Sequence, residues 1–187
     1  MKKLKIFAMI LWFTMLISTI NLAQAQTFKN LDDAPHDITY FKEVQTGEPQ
    51  VRVVYGRPVT KKDKVFGEVI PFGRVWRTGA NETTEIKFYQ DAMFGNKLVK
   101  KGTYSLYTIP GESYWTIILN SETDTLGSFF YNEELDVARI EVPSIAEHPI
   151  DIFTIGFDQK NYGTQMILAW GETRVKVPLY LEKELIS

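Results

Sequence analysis

Residues 72–84 hold the greatest density of side chains that could do chemistry. The segment reads Phe-Gly-Arg-Val-Trp-Arg-Thr-Gly-Ala-Asn-Glu-Thr-Thr. Its glycines permit backbone conformations closed to other residues, and Arg77, Asn81 and Glu82 supply a fork of donors, an amide and a carboxylate. If these groups converge with Trp76 beneath them, they could bind a carboxylate, a phosphate or sugar hydroxyls.

The predicted ligand site is wider than this loop. It consists of Arg57, Trp76, Arg77, Asn81 and Glu82, together with the neighbouring tyrosines Tyr55, Tyr104 and Tyr107. A structural interpretation competes with it, in which Arg57 or Arg77 pairs with Glu82 or Glu85 and pins the loop to the fold. An exposed pair of that kind stabilises a protein by only ~0–1 kcal/mol.

Most catalytic frameworks are missing from the sequence. The chain has no cysteine and two histidines, His36 and His148, and neither stands in a Ser-His or paired zinc-ligand motif. We therefore predict no catalytic residue, no metal and no cofactor. The enzyme that stays open is a carboxylate-based hydrolase of envelope glycans, with Glu82 as one acid and Glu85 or Asp91 as the other, because such chemistry needs two carboxyl groups across a cleft.

Alternating apolar and polar residues predict the elements that must position these groups. We expect about ten short strands and little helix, in an all-β antiparallel sandwich or jelly-roll-like barrel. A brief helical turn is expected at Asn132–Val137 or Pro143–Glu147. After Val51–Tyr55, the expected strands are Thr84–Tyr89, Lys97–Lys100, Thr103–Ile109, Trp115–Asn120, Gly127–Tyr131, Ala138–Val142, Asp151–Phe157, Thr164–Trp170 and Thr173–Leu181.

The two ends of the chain differ in composition. Residues 1–25 have a basic start, an apolar run and a closing Ala-Gln-Ala, which predicts a secretory signal peptide. Residues 26–49 are predicted to be an irregular arm, and 50–187 a single β-sandwich domain. Cleavage would leave 18 basic against 23 acidic residues. That acidic balance argues against nucleic acid as a partner, and no membrane span is expected after cleavage.

Four segments in order resemble a known family. They are the residues Tyr-Gly-Arg-Pro at 55–58, the stretch 67–84, the stretch 102–110 and Trp-Thr-Ile-Ile-Leu-Asn at 115–120. Together they resemble the exported bacterial family known as domain of unknown function 2911, with a similarity that runs from about Gln50 to Tyr180. The resemblance implies a β-rich domain of a Gram-negative envelope, either periplasmic or secreted.

Three functions follow from these observations. The favoured prediction is a noncatalytic binding or interaction module for a small polar ligand, peptide or glycan, because the loop at 72–84 is rich in arginine and aromatic residues and has no nucleophile. The carboxylate-based hydrolase is the alternative enzyme. The third is a structural envelope protein, in which an exposed edge strand or the 26–49 arm pairs with another chain.

Overall fold

The alternating segments form antiparallel strands in the computed structural model, which describes residues 32–62, 64–159 and 163–181. The predicted signal peptide, and the first residues of the predicted arm, lie outside that described part. Nine strands occur within it: β1 His36–Lys42, β2 Pro49–Gly56, β3 Glu85–Phe88, β4 Ala92–Phe94, β5 Lys97–Val99, β6 Gly102–Ile109, β7 Tyr114–Asn120, β8 Asp136–Gln159 and β9 Thr164–Leu181.

The nine strands form one continuous sheet in the order β1-β2-β3-β6-β7-β8-β9-β4-β5, and every pair is antiparallel. The sheet forms two layers that share the long strand β8. The first layer contains β1, β2, β3, β6 and β7, and the second contains β9, β4 and β5. The first part of β8, Asp136–Pro143, pairs with β7, and its second part, from Ser144, pairs with β9. The strands β1 and β5 are the edges, so the sheet is not closed into a barrel.

The two layers pack face to face across an aromatic core. Tyr55 of the first layer contacts Phe153 of the second at 5.7 Å between ring centroids, and Phe88 contacts Phe94 at 6.4 Å. Phe153 also belongs to an aromatic cluster of five rings, defined here as Phe66, Trp76, Trp115, Phe153 and Trp170. Large buried rings of this kind supply much of the folding free energy of a cysteine-free domain.

The predicted fold class is confirmed, since the described chain is antiparallel β-sheet with one short 3-10 turn at Glu133–Leu135. That turn lies inside the predicted helical segment Asn132–Val137. The alternative helical segment, Pro143–Glu147, is wrong because it lies inside β8. The strand predicted at Gly127–Tyr131 is also wrong, because residues 127–130 form a turn.

Two other expectations need correction. The segment 26–49 was predicted to be irregular, yet residues 36–42 form β1, which pairs with β2 along its length. The strands β8 and β9 each join two strands that were predicted as separate. Gly171, which lies between the strands predicted at Thr164–Trp170 and Thr173–Leu181, belongs to β9 and has φ +52, where its pairing with β8 is irregular.

Candidate functional site

The loop at 72–84 pairs through its backbone with β6 of the first layer. The backbone of Trp76 exchanges both hydrogen bonds with Thr108 of β6, at 2.8 and 2.9 Å. Near its end, the Thr83 amide donates to the Thr125 carbonyl at 2.9 Å. A Cβ built on Gly56 would stand 2.2 Å from the Ala80 carbonyl oxygen, so the loop and β2 approach as closely as a glycine allows.

Part of this loop is conformationally strained. Thr78 has φ +57 and Asn81 has φ +63, a region that side-chain-bearing residues seldom adopt, least of all a β-branched threonine. The Thr78 side chain is fully buried and bonds the Thr108 hydroxyl at 3.2 Å, while its carbonyl accepts from the Thr84 hydroxyl at 2.7 Å. These buried bonds hold the loop in the strained shape.

The aromatic members of the predicted site are buried in the protein. Trp76 is 7% exposed, belongs to the aromatic cluster and donates its indole N–H to the Gly79 carbonyl at 3.1 Å. Tyr55 and Tyr107 are each 1% exposed. Tyr104 is buried as well, and its hydroxyl donates to the Lys100 carbonyl at 2.8 Å. These four rings therefore present almost no surface on which a ligand could stack.

Three polar members of the predicted site, Arg57, Asn81 and Glu82, contact residues 34–37 at the start of the first strand. The Arg57 guanidinium donates to Asp37 Oδ2 at 3.0 Å, to the Phe153 carbonyl at 3.2 Å and to Thr154 Oγ1 at 3.0 Å. Because one of these acceptors is in β1 and the other two are in β8, Arg57 joins the strand to the second layer. We call residues 34–37 and their partners the tied end of β1.

Two more side chains from the loop reach the tied end. Asn81 Nδ2 donates to the Ala34 carbonyl at 3.2 Å, and His36 Nε2 lies 3.1 Å from Glu82 Oε2. The expected pairs of Arg57 or Arg77 with Glu82 or Glu85 do not form. Arg77 has no ion-pair partner in the described part of the chain, and its buried Nε makes no hydrogen bond there.

Tyr55 completes the tied end from inside the core. Its hydroxyl accepts from the Ile155 amide at 3.0 Å and lies 3.4 Å from Asp37 Oδ2. Burial of the phenol raises the pKa of Tyr55, because the ionised form would lose its hydration. The neutral phenol is therefore the form that this end of the fold requires.

An acidic pocket of about 290 Å³ opens beside the tied end. It is lined by His36, Val54, Glu82, Thr83, Glu85, Asp124 and Thr125. Glu82 and Glu85 thus share one cavity, as the hydrolase interpretation requires. Asp91, the other proposed partner of Glu82, lies elsewhere: its carboxylate accepts from Lys100 Nζ at 2.7 Å, and that bond lowers the pKa of Asp91. Within the described residues, no group of three or more acidic or histidine side chains is arranged to hold a metal ion.

A second cavity, of about 220 Å³, lies at the other end of β1, and we call it the mouth pocket. Four glutamines from three segments of the chain supply its amides, and apolar side chains complete it. The lining residues are Phe41, Glu43, Val44, Gln45, Gln50, Gln90, Gln159 and Leu181. Gln90 Nε2 donates to Gln50 Oε1 at 2.8 Å, which fixes the orientation of both amides. Sequence reasoning missed this site, because isolated glutamines carry no motif.

The segment 121–135 covers part of the outer surface of the first layer. Tyr107 and Ile118 point outward from β6 and β7, yet both are buried beneath it. Its turn at 127–130, predicted as a strand, exposes Phe129 at 85% and Phe130 at 70%. Behind the turn, Tyr131 donates to Asp136 Oδ2 at 2.7 Å, and burial together with this bond raises the pKa of Tyr131.

Comparison with known proteins yields one match. The sequence model of the family described as "Protein of unknown function (DUF2911)" matches residues 38–179, which extend from β1 to β9. No curated protein and no solved structure matches the chain. No helix among the described residues has the length and apolar character needed to cross a membrane.

Proposed function

The chain belongs to the protein family of unknown function DUF2911, and we propose that it is a noncatalytic binding module for a small uncharged polar ligand, a mono- or disaccharide. The observation that carries the proposal is the mouth pocket, where four glutamine amides from three separate segments accompany apolar side chains. Amide groups both donate and accept hydrogen bonds, so they match hydroxyls, which do the same. The combination of apolar surface with a few placed polar groups is typical of small-molecule sites.

The chemistry of the pocket supports binding without catalysis. Glu43 is the single ionisable side chain among its described lining residues, and its carboxylate accepts from the Thr46 hydroxyl at 3.0 Å. A hydrolase of the two-carboxylate type needs a second acid across the cleft. The apolar groups at the floor, Phe41 and Leu181, belong to the rigid core, which keeps the cavity shaped before a ligand arrives.

Calorimetric titration with glucose, N-acetylglucosamine and cellobiose tests this proposal. We expect saturable binding by at least one of them, and a loss of about tenfold in Gln159→Ala, because one hydrogen bond contributes roughly 0.5–1.5 kcal/mol. Gln165→Ala is the matched control. Gln165 lies in β9, where it pairs with Asp158 of β8, and it does not line the pocket. Equal weakening by both variants, or no binding of any sugar, would reject the proposal.

A carboxylate-based hydrolase is the second candidate, favoured by the shared position of Glu82 and Glu85 in the acidic pocket. Incubation with envelope glycan fragments, followed by mass spectrometry of the products, tests it. Cleavage that is lost in Glu85→Gln and retained in Asp91→Asn would establish the enzyme. If no glycan is cleaved, the hydrolase proposal is rejected, and Glu82 in the acidic pocket serves only to contact His36.

Export belongs to the proposal as well. We propose that residues 1–25 are removed and that the domain acts in the periplasm or outside the cell. Terminal sequencing of the protein recovered from outside the cytoplasm should start at Gln26, and recovery of the uncleaved chain from the cytoplasm would contradict it.

A further inference from the structure

The outer surface of the first layer is divided into a covered half and an open half. Beneath the segment 121–135, the outward side chains Tyr107 of β6 and Ile118 of β7 are buried, whereas β1, β2 and β3 keep outward side chains that reach solvent. Strand register identifies those side chains. Tyr40 is directly opposite Arg52, and Arg52 is directly opposite Lys87. Directly opposed residues in antiparallel strands point to the same face.

This row carries positive charge and aromatic rings. Lys87 Nζ lies 4.9 Å from the Tyr89 ring centroid, and Lys42 Nζ lies 5.4 Å from that of Tyr40. We call Tyr40, Lys42, Arg52, Lys87 and Tyr89 the cationic row. Neighbouring strands stand about 4.8 Å apart, so its central residues span roughly 10 Å across three strands.

Arg52 and Lys87 are a costly pair for the fold. Like charges directly opposite each other in a sheet are destabilising. Among the described residues, neither has an ion-pair partner, and the buried Nε of Arg52 makes no hydrogen bond there. One carboxylate, Glu85, lies in the adjacent row, opposite Val54 and Ser105. A bound anion between the two cations would turn this repulsion into attraction.

We propose that the cationic row binds an acidic glycan, with carboxylates on Arg52 and Lys87 and sugar rings against Tyr40 and Tyr89. Charge complementarity indicates the acid groups, since the row is cationic on a chain whose formal net charge is −2. The half-exposed tyrosine rings offer the flat apolar surface on which the carbon face of a sugar packs. This inference does not depend on the mouth pocket.

Other partners fit the row less well. An extended peptide that adds to a sheet uses a free strand edge, whereas the row crosses three paired strands on their face. Nucleic acid also combines phosphates with stacking bases, but an extended strand requires a longer run of cations than these three. An acidic polysaccharide needs only a few charges with apolar surface between them.

Calorimetric titration with polygalacturonate tests the proposal, alongside the same polymer with its carboxylates methyl-esterified. We expect binding of the acidic polymer that weakens with added salt, and no binding of the ester. The double variant Arg52→Gln/Lys87→Gln should bind about tenfold or more weakly, as expected when charge-assisted hydrogen bonds are lost. Its melting temperature should not fall, because the substitutions also remove a repulsion.

Two control variants make the result decisive. Lys61→Gln/Lys64→Gln removes the same charge from exposed lysines away from the row and should bind like the parent. Gln165→Ala, a substitution in β9 outside both the row and the mouth pocket, should also bind like the parent. Equal loss in the Lys61/Lys64 variant, equal binding of the esterified polymer, or tighter binding of an oligo-dT strand would each overturn the assignment to an acidic glycan.

Discussion

The two ends of β1 contrast in how their polar side chains are used. At the tied end, Arg57 and Glu82 contact β1, and Asn81 contacts Ala34 just before it. At the mouth pocket, the glutamines line a cavity of about 220 Å³, and a hydrogen bond joins Gln90 to Gln50. The side chains of Arg57, Asn81 and Glu82 thus stabilise the fold, whereas the glutamine amides face the cavity of the mouth pocket. A dense cluster of functional groups in a sequence does not reveal which groups the folded chain keeps for itself.

Trp76→Ala, in the loop that contacts the tied end, should give the largest loss of stability. Trp76 packs against four rings of the aromatic cluster, so its truncation should cost ~3–5 kcal/mol of unfolding free energy. Urea denaturation followed by circular dichroism measures this loss. Tyr114→Ala, at a ring that is 62% exposed, serves as the control and should change stability little. If both variants lost the same amount of unfolding free energy, the buried ring of Trp76 would contribute no more to stability than an exposed ring, which would contradict this prediction.

Arg57→Ala should release the tied end with an intermediate effect. The substitution removes hydrogen bonds to Asp37, Thr154 and the Phe153 carbonyl, and we expect a loss of ~1–3 kcal/mol. Amide hydrogen exchange should accelerate in residues 36–39 and stay unchanged in residues 50–53. Uniform acceleration along β2 as well would mean that Arg57 supports the whole layer and that the two ends are not separable.

The smallest effect should be an opposite pH dependence near the two ends. Tyr55 has a raised pKa when folded, so its contribution to stability is complete below the unfolded value of about 10 and is lost as the pH rises through the folded value. Asp91, next to Gln90 of the mouth pocket, has a lowered pKa when folded. Its contribution is present above the unfolded value of about 4 and is lost as the pH falls through the folded one.

Melting temperatures across the pH range measure both contributions. Tyr55→Phe should flatten the alkaline decline only, and Asp91→Asn should flatten part of the acid decline only. The Glu147 carboxylate, whose pKa is lowered by its hydrogen bond with Lys176, supplies another part of the acid decline. If Tyr55→Phe changed the acid limb instead, the buried phenol would not be the group that titrates.

The fold class was predictable because side-chain alternation is a local property. The extent of β8 was not, because Pro143 and Pro149 resemble strand breakers. Pro143 occurs where β8 leaves β7 and Pro149 where the pairing with β9 is irregular, so a missing amide donor is tolerated at both positions. The strand β1 escaped prediction because its seven residues lie among polar residues and proline, and its stability comes from β2 and from the loop at 72–84.

The candidate site was predictable only where proximity follows from sequence spacing. Glu82 and Glu85 are three residues apart and do share a cavity. The mouth pocket is lined by Gln45, Gln90 and Gln159, which are distant in sequence and come together only when the sandwich has folded. Likewise, the cationic row depends on the register between three strands, which is set by long-range pairing and not by any local pattern.

The partition of β8 between two layers has a consequence for how the domain comes apart. A strand of 24 residues that is bonded to β7 over its first part and to β9 over the remainder transmits the loss of either layer to the other. Neither half can persist as an independent folding intermediate, because each would lose the strand that completes it. Indole fluorescence from the interior and backbone circular dichroism should therefore report the same single cooperative unfolding transition.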